Sequence, residues 1–374
     1  MRVRFWGIAA AALAGLWLAG CATPRPYYPE RVMSEGRQQS AAAAHAAAPQ
    51  QPDERDFAQL DGWAQDDHAS ALAAFQTSCR STKSLALAGV CRRAEGAGRL
   101  DDAAARRFLE TNFRPMPIAD AGLLTAYFSP VYAARSERDA EFSAPVRPRP
   151  ADLNSWGAEA GAQGPYADRA AIDARPADDA LAWMRPEDLF FLQIQGSGVL
   201  VFPDGSRAKA LFDGTNGAPF VAIAGPMVRM GLMSPGGASS GAIRRWLADN
   251  RGQAAQAVMA LDPRYVFFRL APDDGSDPAG AAGAALIAGR SVAVDPSWHA
   301  LGELLWIDAA GPSLAGASPA YRRLVVAMDT GGAIRGAARA DLYLGRGDAA
   351  GEEAGRVRHL LRMWRLEPVD GSGQ

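Results

Sequence analysis

Apolar positions change their rhythm part-way along the chain. In DFAQLDGWAQDDHASALAAFQTSCRSTKSL, residues 56–85, they recur at three- and four-residue spacings, the period of a helix with one buried face. DDAAARRFLETNF, residues 101–113, repeats that spacing behind two acids, which suit the first turn of a helix. From residue 122 the rhythm shortens. GLLTAYFSPVYAA, residues 122–134, is aromatic and β-prone. DLFFLQIQGSGVLVFPDGSRAKALFDG, residues 188–214, reads as a hairpin, with Phe191, Ile194, Val199 and Val201 as strand formers and Pro203, Asp204 and Gly205 as its turn. SSGAIRRWLADNRGQAAQAVMAL, residues 239–261, returns to the helical period around Arg244, Trp246 and Leu247. RYVFFRL, RSVAVDPSWHALGELLWID and RRLVVAMD are strand-like, GDAAGEEAGRVRHL is a short helix and MWRLEP a closing strand. Residues 144–180, rich in Pro, Ala and Gly, read as loops. The pattern predicts a β-rich body with a helical N-terminal part.

The first 54 residues stand outside that pattern. MRVRFWGIAAAALAGLWLAGC has two arginines, an apolar stretch too short for a comfortable membrane span, and small residues ahead of Cys21. Residues 1–20 read as a signal peptide, and Leu-Ala-Gly-Cys resembles the bacterial lipobox. That resemblance implies cleavage before Cys21 and acyl chains on it, an anchor that does not span the bilayer. Ala22 follows, as in lipoproteins sent to the outer membrane. Residues 21–54, rich in Ala, Pro and Gln, read as a flexible tether, with His45 solvated in it.

Composition narrows the function. The chain has 374 residues, 48% of them hydrophobic and 21% charged, with a net charge of −2. That is the make-up of a globular protein with a substantial core, and no basic block points to nucleic acid. Cys79 and Cys91 are an even pair at short separation, a candidate disulfide in an oxidising compartment. The four histidines are scattered, and neither an H-E-x-x-H pair nor a G-x-S-x-G elbow is present. His299 reads as a packing or surface residue. GGAIRG is neither a phosphate loop nor a dinucleotide fingerprint. No cofactor and no metal are expected.

Carboxylates are left. Asp295, Asp329 and Asp341 fall at the ends of strand-like runs, and Gly331, Gly332 and Gly336 allow close approach of a ligand. Simple turn chemistry is the competing explanation for any one of them. Glycosidic cleavage needs an acid for the leaving oxygen and commonly a second carboxylate. Tyr127, Phe128, Trp298 and Tyr343 are candidates for stacking on sugars or for the core.

At these residues the chain resembles a known family. GLLTAYFSP, DLFFLQIQGSGVLVFPDG, YVFFRL, SVAVDPSWHALG and LVVAMDTGGAIRGAARADLYLG, in that order, resemble the membrane-bound lytic murein transglycosylase A family; the last two match its 3D domain, named for three aspartates. The likeness extends over residues 55–370. It implies a mainly β fold with a helical N-terminal part: a double-psi β-barrel from residues 55–125 and 275–374, a second β-domain inserted at 126–274, and a groove between them. It implies Asp341 as the catalytic acid, Asp329 and Asp295 as supporting aspartates, and Thr125, Tyr127, Gln195, Ser197 and Gly332 along the groove. The implied activity is that of an exolytic transglycosylase, a polysaccharide lyase cutting between N-acetylmuramic acid and N-acetylglucosamine and leaving 1,6-anhydro ends. A non-catalytic peptidoglycan-binding lipoprotein and a hydrolytic muramidase are the alternatives. Implied partners are glycan strands, the outer membrane through lipid on Cys21, facing the periplasm, and cell-wall synthesis proteins. Ala126, Phe128, Ala300 and Arg335 depart from the family's usual Gly, Tyr, Pro and Lys, and no aspartate is lost.

Overall fold

The computed structural model describes residues 56–153, 166–312 and 316–369. Cys21, the signal peptide and the tether lie outside the described residues. The described N-terminal part opens with two short 3-10 turns, Phe57–Gln59 and Trp63–Gln65, followed by α1 (His68–Cys79), α2 (Leu85–Ala97) and α3 (Asp102–Asn112). Asp67 and Asp101 cap α1 and α3, each accepting from a backbone N–H three residues on. Cys79 at the end of α1 is bonded to Cys91 in α2. The two are 12 residues apart, so the crosslink removes about 3 kcal/mol of unfolded-chain freedom in the loop-entropy account. Replacing both by Ser is expected to lower stability by about 2–4 kcal/mol, read from the urea midpoint.

Six strands close into a barrel: β1 (Phe113–Ser129), β8 (Ser291–Val294), β9 (Leu304–Pro312), β10 (Ala320–Thr330), β11 (Arg339–Arg346) and β12 (Arg358–Pro368). Their order around it is β1, β11, β8, β10, β9, β12, and β12 closes the ring antiparallel to β1. β1 with β11 and β8 with β10 are parallel. The run LVVAM in β10 shows why these strands are apolar on both faces. Val325 and Ala327 point into the barrel with Leu124, Val292, Ile307 and Leu342. Leu324, Val326 and Met328 point outward, against Phe75, Trp63 and Trp306 beneath the N-terminal helices. Alternate residues thus serve two cores, and each large side chain fully withdrawn from water contributes roughly 1.5–3 kcal/mol. The helices are tied down by a buried ion pair as well: Arg290 Nη1 donates to Asp66 Oδ2 at 2.9 Å and to the Leu324 carbonyl at 2.8 Å, and Arg290 Nη2 donates to the Asp67 carbonyl.

Between β1 and β8 the chain builds a separate sheet of β2 (Val131–Ala133), β5 (Gly198–Val201), β6 (Arg207–Thr215) and β7 (Val266–Pro272), and a two-stranded ribbon of β3 (Ala144–Val146) and β4 (Ala182–Met184). Helices α4 (Arg169–Asp173), α5 (Pro186–Gln195), α6 (Ala224–Arg229), α7 (Ser240–Asp249) and α8 (Gln253–Met259) flank them, and α9 (Gly347–Ala354) joins β11 to β12.

Three local expectations change. Phe191 and Ile194 belong to helix α5, and the hairpin is only β5 and β6. The apolar run FFLQI is compatible with either period; the decision comes from its ends. Pro186 opens the first turn, Glu187 and Asp188 sit in it, and Gly196 ends the helix in the left-handed region at φ 83°. The single helix expected over 239–261 is two, α7 and α8, broken at residues 250–252. The loop region 144–180 carries β3 and α4.

Candidate active site

A cleft of about 740 Å³ runs between the barrel and the inserted sheet. Its barrel wall is laid out by strand register. Asp341 in β11 lies level with Thr125 in β1 on one side and Ala293 in β8 on the other. Ala293 in turn lies level with Asp329 in β10. Four neighbouring strands therefore place Thr125, Asp341, Ala293 and Asp329 in one row, on the face opposite the barrel interior. At the usual strand spacing, the two aspartate Cα atoms are about 10 Å apart, separated only by the methyl of Ala293.

Asp329 joins that row because of a bulge. The pairing of β10 with β8 slips between Ala327 and Asp329. With strict alternation Asp329 would follow Val325 and Ala327 into the barrel, a carboxylate among aliphatic side chains. The extra residue, Met328, turns it outward.

The two carboxyls have different surroundings. Asp341 Oδ1 accepts from the Thr125 hydroxyl, and Thr125 in turn accepts from Arg339 Nη2 at 2.9 Å. Burial pushes the Asp341 carboxyl above its usual range; the Thr125 hydroxyl and the Arg339 charge oppose this, and the Asp329 charge adds to it. Asp329 is also raised by burial, but three donors hold it: the Tyr127 hydroxyl at 2.8 Å, the Ala281 N–H at 3.0 Å and the Thr330 N–H at 2.9 Å. Those donors all favour its charged form. Burial and the adjacent Asp329 hold the Tyr127 phenol protonated far above the ordinary range. Asp329 is thus a fastened acceptor, and Asp341 is the carboxyl with capacity left for a ligand.

Asp295, the third aspartate, faces away from the cleft lining. It takes the Ser297 hydroxyl at 2.5 Å, the Gly336 N–H at 2.8 Å and the Ser297 N–H at 3.1 Å, with the Arg335 guanidinium 3.7 Å away. The Ser297 hydroxyl and those N–H groups hold it down at about 2. It pins the end of β8 to the turn after β10. Of the other sequence candidates, Thr125, Tyr127, Gln195, Ser197 and Gly332 all line the cleft. Gln195 accepts from the Phe128 N–H at 3.3 Å, which ties α5 to β1 across the cleft floor. Phe128 is on the wall; Tyr343 is fully buried, its hydroxyl donating to Asp277, and Trp298 is exposed elsewhere. His299 is buried between Glu303 and the Ala337 carbonyl, a packing role. Phe212, Phe220, Arg264, Arg269 and Arg339 also line the cleft and were not singled out in the sequence. Arg339, two residues before Asp341, carried the one available signal. Among the described residues no cluster of His, Cys, Asp and Glu is placed to hold a metal ion.

Comparison with known proteins matches this architecture segment by segment. Residues 123–269 match the MltA specific insert domain, and residues 290–367 match the 3D domain. Those matches define a class: a 3D-domain barrel that carries an MltA-type insert. The membrane-bound lytic murein transglycosylase A of Escherichia coli K12 is 31% identical over 257 residues, spanning 67% of this chain and 66% of that protein, just under two thirds of its length. The crystal structure of a membrane-bound lytic murein transglycosylase from Agrobacterium tumefaciens superposes with a TM-score of 0.73 at 32% identity, covering 84% of this chain and 97% of that one. The Escherichia coli MltA structure with bound chitohexaose gives 0.64 at 27% identity, covering 81% and 90%. This chain belongs to the membrane-bound lytic murein transglycosylase A family.

Proposed function

We propose that this chain cuts the β-1,4 bond between N-acetylmuramic acid and N-acetylglucosamine in peptidoglycan, with Asp341 as the sole proton donor and acceptor. The observation that carries the assignment is the contrast between the two cleft carboxyls. Burial raises both, but Asp329 takes three donors that favour its charged form, whereas Asp341 takes only the Thr125 hydroxyl and so keeps its proton available. The Asp341 proton passes to the glycosidic oxygen, which leaves as the 4-hydroxyl of N-acetylglucosamine. The muramyl 6-hydroxyl attacks its own anomeric carbon and returns its proton to Asp341. Water is not consumed, and an internal nucleophile removes the need for a second catalytic carboxylate.

The Thr125 hydroxyl, itself held by Arg339, fixes the Asp341 carboxyl. Asp329 raises the proton affinity of Asp341 and holds the loop at Ala281. Gln195, Ser197 and Gly332 shape the groove in which the glycan lies, and Asp295 secures the turn beside it. Mass spectrometry of muropeptides released from purified sacculi tests the reaction. Anhydro ends, lighter by one water, support it; hydrated ends mean a muramidase, and no release means a binding lipoprotein.

The acid must start protonated, so turnover falls as pH rises through the Asp341 pKa. Removing the Asp329 charge lowers that pKa. Asp329→Asn is therefore expected to move the alkaline limb of the pH–rate profile to lower pH. An unmoved limb would count against coupling of the two carboxyls.

The same family reading extends to the ends of the chain. The barrel, with β1 running on to Ser129 rather than stopping at residue 125, forms the catalytic unit, of double-psi type, and the segment between β1 and β8 forms the insert. Relatives are named membrane-bound. The lipobox at Cys21 is the reason to place this chain in the outer membrane, facing the periplasm, on a lipid tether, near cell-wall synthesis proteins.

A further inference from the structure

Two arginines on the inserted-sheet wall of the cleft have no anionic or carbonyl partner for their guanidinium groups among the described residues. Arg264 precedes β7 and Arg269 lies within it, and both line the cleft. On the opposite wall Arg339 is occupied, donating to the Ala340 carbonyl at 2.6 Å and to Thr125 at 2.9 Å. Arg264 is half-buried. Its nearest acid, Asp262, is already engaged by the Val221 N–H at 3.0 Å and by Arg169 at 3.8 Å, and Arg335 adds a second positive charge close by. Space has been left for the Arg264 head: a Cβ on Gly332 would lie 2.5 Å from its Nη1. A partly desolvated guanidinium beside another cation is unfavourable until an anion reaches it.

We infer that Arg264 forms a carboxylate-binding subsite, with Arg269 further along the same wall as a second cationic contact, for the acidic groups that peptidoglycan carries beside its sugars. The polymer's identity rests on the transglycosylase reading above. The sugar rings and their N-acetyl groups are neutral. Carboxylates come from two sources, the free carboxyls of the stem peptide and, where the peptide has been removed, the lactyl group of the muramyl residue. A guanidinium fork matches a carboxylate in two parallel hydrogen bonds, which a lysine cannot reproduce. The subsite makes the cleft select acidic murein over neutral N-acetylglucosamine polymers, with the acid at Asp341 on one wall and the anion receptor on the other.

The test is binding to the full chain carrying Asp341→Asn, so that strands are not consumed. Three ligands are compared: peptide-bearing glycan strands, peptide-stripped strands and chitohexaose. Arg264→Gln is expected to weaken one or both acidic strands roughly ten- to hundredfold, while chitohexaose affinity stays within about twofold. Loss on peptide-bearing strands alone assigns the stem carboxyl, and loss on stripped strands alone the lactyl group. Arg264→Lys should fall between the two, and Arg269→Gln, at an exposed position, should weaken the acidic strands in the same direction without a folding risk. Retained chitohexaose binding reports a folded cleft. An equal loss for chitohexaose, or no loss on either acidic strand, overturns the subsite. Strands that bind but are not cut by the chain with Asp341 intact would count against the transglycosylase reading and leave the subsite standing.

Discussion

Asp341→Asn is expected to lower turnover of sacculi by at least about 10²–10⁴-fold, the usual contribution of a positioned proton-transfer group. The change is nearly isosteric, and the amide oxygen can still accept from Thr125, so the cleft should keep its shape and its affinity for glycan. The substitution should also stabilise the protein at neutral pH. In the folded chain the Asp341 carboxyl is raised by burial. Below the unfolded-chain carboxylate range both states are protonated and nothing is lost. As pH rises, the unfolded chain releases its proton first, so this group's contribution to stability declines up to the folded pKa. A neutral amide has no such decline. A higher urea midpoint at pH 7 for Asp341→Asn, converging with the parent protein at low pH, together with lost turnover, is the paired signature of a strained acid. Turnover within tenfold of the parent would sink the assignment.

Asp66→Ala is expected to cost about 3–5 kcal/mol. The Asp66 and Arg290 side chains are 5% and 9% exposed. Asp66 also accepts from the Leu324 N–H at 2.8 Å, so its removal strands a buried cation and a backbone donor together. The loss should be cooperative, because Asp66 lies between the 3-10 turns and α1 and holds the helical cap to β8 and β10. An exposed pair gives the comparison. Arg114 and Glu367 are 3.8 Å apart and 51% and 37% exposed, and Glu367→Gln should change stability by under about 1 kcal/mol. Denaturant midpoints for the two variants measure the contrast. Similar losses from both would mean that Asp66 is not a buried anchor.

How much of this could be read from residues alone varied with the kind of feature. The strand runs around Val325 and Val292 were legible because both faces are apolar. The candidate acids were legible because each interrupts such a run. Helix α5 was not, since FFLQI fits two periods and only Pro186 and Gly196 at its ends decide. The separate work of the three aspartates was invisible. Asp329 faces the cleft by a one-residue bulge at Met328, and Asp295 turns to Ser297 and Gly336, neither of which a linear motif states. Arg264 was hidden for a related reason: its position opposite Gly332 exists only after the inserted sheet has packed on the barrel.

The register of β1 has a consequence for when the cleft can be completed. Thr125 and Asp341 are 216 positions apart, and β1 closes on strands that end at Pro368. During synthesis, the first half of the candidate site waits for almost the last residues before it can be completed. The insert can bury its own apolar cluster of Leu189, Val199 and Phe268 in the meantime. A chain cut short before β11 has neither acid nor closed barrel. Premature and truncated products therefore lack the assembled cleft, which is completed only at the end of folding.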